Sequence, residues 1–106
     1  MKLPKSIKVA GYSCKVTRGD IIVDGEGDFG TFDYNTYGIE LAQEKDFDSE
    51  EQEASTFLHE WIHAILHIYK IKVADEEDMV ERLETAIFQM FKDNKTSVRA
   101  LLKTLK

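Results

Sequence analysis

The chain falls into two halves by the period of its apolar residues. In the first 45 positions that period is two. "SIKVAGYSCKVTR" sets Ile7 and Val9 between polar neighbours, breaks at Ala10-Gly11, then alternates Tyr12, Cys14 and Val16. That pattern predicts two short antiparallel strands around Gly11. "GDIIVDGEGDFG" has a brief apolar centre followed by glycines and acids, which predicts a short strand leading into an exposed loop. "GTFDYNTYGIELAQ" offers Phe32 and Tyr34, a turn near Asn35 to Gly38, then Ile39 and Leu41 on one face, a second hairpin.

The period then becomes helical. "DFDSEEQEASTFLHEWIHAILHIY" opens with Ser49-x-x-Gln52, a capping box, and acids crowd its first turn. Its apolar set, from Phe57 and Leu58 to Ile68 and Tyr69, is wide enough to predict a largely buried central helix. "IKVA" connects it to a second helix over "DEEDMVERLETAIFQMFKDN", apolar at Met79, Val80, Leu83, Ala86, Ile87, Met90 and Phe91, with a stop at Asp93-Asn94. "TSVRALLKTLK" predicts a short terminal helix, basic toward its end. The expected fold class is α+β: a small antiparallel sheet of two hairpins beside a central helix, a second helix and a short C-terminal one. Without repeats, low-complexity tracts or linkers, residues 1–106 are expected to form one domain.

Composition narrows the partners. A 42% hydrophobic content supports a globular fold, and a net charge of −6 speaks against nucleic acid or an anionic membrane as the partner. Cys14 stands alone and lies in the alternating stretch, so it reads as a small strand residue rather than a disulfide partner or nucleophile. The N-terminus has lysines with no apolar run after them, and no segment approaches the length of a membrane span. A cytoplasmic location is the expectation.

Chemistry enters with "TFLHEWIHAILH". All three histidines fall within nine residues, 59 to 67. On a helix His59 and His63 sit about 40° and about 6 Å apart, so both imidazoles can address one ion. Neutral imidazole nitrogen binds zinc at about 2.0–2.1 Å. Glu60 lies on the flank, placed to act on water as general base rather than as a ligand. His67 is about 12 Å of helix rise from His59 and is not expected to join them. Two histidines and a glutamate in apolar surroundings would each carry a desolvation cost that a shared metal removes.

A zinc site for catalysis takes three protein ligands and an open position. With no further cysteine or histidine at hand, the third is expected to be a carboxylate of the second helix, Glu81 or Glu84. Glu84 is nearer the centre of the apolar arc. Glu81 has Thr85 four residues on, able to accept from a ligand histidine's free N–H.

"TFLHEWIHAIL" followed by "VERLETAIFQMFKDN" resembles the small phage and bacterial metallopeptidases related to the ImmA/IrrE-like family, within the gluzincins. The upstream "GTFDYNTYGIELA" resembles that family's Gly-x-Tyr-Asp hairpin, and the likeness covers roughly residues 28 to 94. It implies a zincin-like fold and a zinc-dependent endopeptidase. It also implies that the first residue of the family's Glu-x-x-Ala-Asn motif is a ligand. On "ERLET" that residue is Glu81, with Glu84 and Thr85 departing from the motif.

The function expected is hydrolysis of a peptide or protein substrate by a zinc-bound water, with His59, His63 and Glu81 on the metal and Glu60 as base. Tyr34, Tyr37 and Tyr69 are the hydroxyls on offer for an oxyanion, and "GIELAQ" is a strand an extended substrate could join. The alternative is a catalytically silent zincin-fold module that recognises a partner protein.

Overall fold

The computed structural model describes residues 1–105. Four strands, β1 (Ser6–Val9), β2 (Tyr12–Arg18), β3 (Gly30–Phe32) and β4 (Ile39–Leu41), precede three helices, α1 (Glu50–Ile68), α2 (Glu76–Asp93) and α3 (Lys95–Lys103). The fold class is α+β, as the change of period predicts.

Both expected hairpins form, and each is antiparallel. They meet through a parallel pairing of β2 with β4, so the sheet is mixed, in the order β1-β2-β4-β3. The reason lies in the side chains. Ile39 and Leu41 are buried almost completely, whereas β3 contributes Gly30, Thr31 and Phe32. The more apolar strand takes the interior, and β3 is left at the edge beside α1.

No strand forms in "GDIIVDGEGDFG". Val23 and Glu26 instead exchange two hydrogen bonds, at 2.9 and 3.0 Å, around a two-residue turn. Both central residues of that turn, Asp24 (φ 52°) and Gly25 (φ 77°), are left-handed, the conformation Asp-Gly turns favour. Beyond it Gly27 packs directly on the Ile21 carbonyl, where no Cβ fits.

Helix α1 starts where its capping box predicts. The Ser49 hydroxyl accepts from the Gln52 N–H at 3.0 Å, and the Gln52 side chain accepts from the Asp48 N–H at 2.6 Å. It ends in a left-handed Lys70, with Ile71 N–H donating to the Leu66 carbonyl and Lys70 N–H to that of His67. Its width of apolar surface is used on two sides. Phe57 and Ala64 pack on the sheet with Val9, Cys14, Val16, Phe32, Ile39 and Leu41. Ile62 and Leu66 pack with Val80 of α2, flanked by Leu58, Leu83 and Ile87. Polar residues between those two stripes therefore face a cleft with β3 on one wall and α2 on the other. Cys14 is fully buried in β2. Helix α3 packs mainly on α2 and buries none of its residues, and Lys106 of the expected terminal helix lies outside the described residues. Among the described residues no helix is long and apolar enough to cross a membrane.

Candidate metal centre

His59 and His63 emerge one turn apart on α1 with ring centroids 5.0 Å apart. Their Nε2 atoms face a single carboxylate. Glu77 places one oxygen 2.8 Å from His59 Nε2 and the other 2.9 Å from His63 Nε2. Among the described residues His59, His63 and Glu77 form a group able to hold a metal ion.

The outer ring nitrogens are engaged separately. His63 Nδ1 lies 2.7 Å from Glu76 Oε2, and His59 Nδ1 lies 3.2 Å from Glu84 Oε1. Glu84 is itself held by the Ser55 hydroxyl. A carboxylate can only accept, so each ring, with a carboxylate on both nitrogens, has two ways to satisfy them: both nitrogens donate, as in an imidazolium, or Nδ1 donates and a cation stands between the Nε2 pair and Glu77. The surrounding charge favours a cation. Asp28, Glu60, Glu76, Glu77 and Glu84 gather here, and the cleft they line or adjoin has no lysine or arginine in its wall. Histidine rings fixed in one tautomer by carboxylates are the usual support of a metal ligand. The donor set thus fits a divalent metal.

The structure does not bring Glu81 to the histidines. Glu81 is exposed, and the carboxylate that reaches both rings is Glu77, one turn earlier. Val80 is the one fully buried residue of α2 and marks its inward direction. Around the helix Glu84 lies about 40° from Val80, Glu77 about 60° and Glu81 about 100°. Glu84 turns inward, as the helical wheel suggests, yet orients His59 instead of joining the Nε2 pair. Thr85 is exposed and supports neither ring. Neither Glu76 nor Glu77 stands out in the sequence, because acids in the first turn of a helix are explained by its dipole. The signal that could have found them is the short connector of residues 69–75. It folds α2 back antiparallel, which sets its first turn against His63.

Glu60 is 6% exposed and lines the same cleft. Burial pushes its carboxyl above the usual range, and the neighbouring His59 and His63 only partly offset this. Gly30 explains how it fits. A Cβ there would stand 3.1 Å from Glu60 Cγ and 2.9 Å from Leu41 Cδ2, so any side chain at this position would press β3 away from α1 or displace those side chains.

The cleft encloses about 560 Å³ between β3 and the two helices. Of the three tyrosines singled out, only Tyr34 lines it. Its hydroxyl donates to Glu76 at 2.7 Å, and burial together with that carboxylate pushes its pKa up to about 12. Tyr37 packs against Tyr12 and Phe32, and Tyr69 is 57% exposed. His67 stays off the Nε2 pair, as the helix rise requires. Its ring stacks edge-on against Tyr34 at 4.8 Å and Tyr37 at 5.5 Å, and its Nε2 meets the Tyr34 carbonyl at 3.1 Å.

The strand open to a substrate is β3 and not "GIELAQ", since β4 is paired on both sides. Ala42 N–H donates to the Phe29 carbonyl and Asp33 N–H to that of Gly38, so the odd-numbered residues of this strand face β4. By the alternation of an antiparallel ladder, Gly30 and Phe32 turn their N–H and C=O to the open edge.

No protein-family model, curated protein or solved structure matches the chain.

Proposed function

We propose that the protein is a zinc-dependent endopeptidase of the gluzincin type, related to the small phage and bacterial enzymes its sequence resembles. The observation that carries this reading is Glu60. It is a buried carboxylate with no hydrogen bond among the described residues, one position after His59, opening into the cleft where both Nε2 atoms point. A metal site with a purely structural role gives such a group nothing to do. Two imidazoles and a carboxylate suit zinc, and a site with three such protein ligands would be open to water or substrate.

Zinc, when bound, supplies a Lewis acid that polarises a carbonyl and lowers the pKa of water toward about 7. The protein supplies the rest. His59, His63 and Glu77 hold the ion. Glu84 and Glu76 hold the two rings in the tautomer that keeps Nε2 free. An extended peptide pairs with the free N–H and C=O groups of Gly30 and Phe32, which brings its scissile bond across α1. The raised pKa of Glu60 suits a group that takes a proton from water and returns it to the leaving amine. Tyr34, at the rim, is the hydroxyl best placed to support the developing oxyanion, once it leaves Glu76.

Glu60→Gln tests the reading. The change keeps shape and removes basicity, so fold and zinc content should survive. Hydrolysis of a quenched peptide library should fall by about 10²–10⁴-fold. A variant as active as wild type would refute Glu60 as base. Equal affinity of both proteins for a captured partner, with no cleavage by either, would favour the catalytically silent binding module.

A further inference from the structure

The charge of the cleft is one-sided beyond what a metal needs. From Gly19 to Glu44, the stretch that forms the loop, β3, the turn and β4, the chain has no lysine or arginine and seven acids. From Asp46 to Tyr69, which includes all of α1, it again has no lysine or arginine. The first turn of α2 adds Glu76, Glu77 and Asp78. Of the cleft carboxylates, Glu77 faces the Nε2 pair, Glu84 orients His59 and Glu60 is the base. Asp28 has no such task. It is exposed, lines the cleft, and has no ion-pair partner among the described residues.

Its place in the cleft is defined by its neighbours. Asp28 stands two residues before Gly30, which packs on Thr56 and Glu60. Across the cleft Glu84 is held by Ser55. The part of the cleft beside Thr56 therefore has acids on both walls, and Tyr34, packed on His67, also lines the cleft. Two features point to an occupant other than solvent cations. One is the nine-tenths buried, unpartnered Glu60 aimed into the cleft. The other is the open backbone edge at Gly30 and Phe32, which aligns an extended chain so that a residue near its end falls beside Asp28.

We propose that the cleft selects an extended peptide segment bearing a lysine or arginine, and that Asp28 is the residue that reads this cation. The identity of the occupant as a peptide rests on the peptidase reading. The charge preference rests on the walls of the cleft. An ammonium or guanidinium there meets an unpaired carboxylate, and no lysine or arginine in the lining competes for it.

The test uses fluorescein-labelled octapeptides of alanine and serine, in which one lysine, arginine, glutamine or glutamate is moved through each position. Turnover is read as kcat/KM with the zinc-loaded wild type. Binding is read separately, by anisotropy with zinc-loaded Glu60→Gln. Lysine and arginine peptides should exceed the glutamine peptide by about 3- to 10-fold at one position, and glutamate should be worst there. In Asp28→Asn that ratio should collapse toward one, and in Asp28→Lys it should invert. Added salt should erode it in the wild type. Binding that shows the lysine preference without any turnover upholds the proposal and removes the peptidase reading. Turnover indifferent to charge upholds the peptidase and overturns the proposal. A lysine preference unchanged in both Asp28 variants overturns the role of Asp28, and no binding to any peptide overturns both.

Discussion

Side chains four apart on one helix can be paired from sequence, but a side chain arriving from another helix cannot. His59 and His63 share a face by helix geometry alone, and Glu60 follows from being between them. The third carboxylate depends on how α2 is rotated about its axis, and that is set by Val80, Leu83 and Ile87 seating on Ile62 and Leu66. The apolar arc of α2 is broad enough to permit several rotations, which is why Glu81 and Glu84 compete on paper while Glu77 makes the contact. The consequence is measurable. Glu77→Ala should weaken zinc about 10–100-fold or more, taking losses around supporting residues as the lower bound, while Glu81→Ala should stay within about 2-fold of wild type. Competition against a chromophoric chelator reads both. Loss of zinc in Glu81→Ala with Glu77→Ala unaffected would return the ligand to the position the family resemblance implies.

Elements were legible in proportion to how local their causes are. The start of α1 is written in Ser49 and Gln52, and the turn of the second hairpin in Asn35 to Gly38, where the Asp33 carboxylate accepts from the N–H groups of Asn35 at 2.7 Å and Thr36 at 3.1 Å. Those donors hold the Asp33 carboxyl below its usual range. Strand partners are a non-local matter, so two hairpins were readable and their parallel union through β2 and β4 was not. The end of α1 carries an unforced cost. Lys70 is exposed at φ 57°, with nothing but backbone geometry asking for that conformation. A side chain in the left-handed region costs about 1–2 kcal/mol, and glycine is free of it. Lys70→Gly should therefore raise stability by roughly 0.5–1 kcal/mol in urea denaturation, net of the entropy glycine adds to the unfolded chain. Zinc affinity should not move. A destabilised variant would mean that the Lys70 side chain holds the helix end by contacts stronger than its backbone strain.

For the molecule as a whole, the acidic surface is balanced by one buried tie. Glu53, 1% exposed, receives Arg18 at 2.7 Å and the amino group of Met1 at 2.8 Å, while Arg18 also donates to the carbonyl of Ala42 at 2.9 Å. That cluster joins the end of β2, the segment after β4 and the first half of α1. It thereby fixes the distance between sheet and helix on which the cleft depends. Burial by itself raises the Glu53 carboxyl, but the Met1 ammonium and Arg18 outweigh it and hold the group below its ordinary value. The sign of the linkage follows. A depressed carboxylate contributes stability that is complete above the unfolded value near about 4.3 and is lost as pH falls through the folded one. Glu53→Gln leaves Arg18 without its carboxylate partner and should cost about 3 kcal/mol near pH 7. As pH falls through the depressed folded value the wild-type carboxyl loses its charge as well, and the gap between the two proteins should narrow. Denaturation of both in excess chelator checks this, because release of metal by acid then affects neither comparison. A gap that stays constant from neutral to acid would show that Glu53 contributes through shape and hydrogen bonding alone, and that its charge does not hold the helix to the sheet.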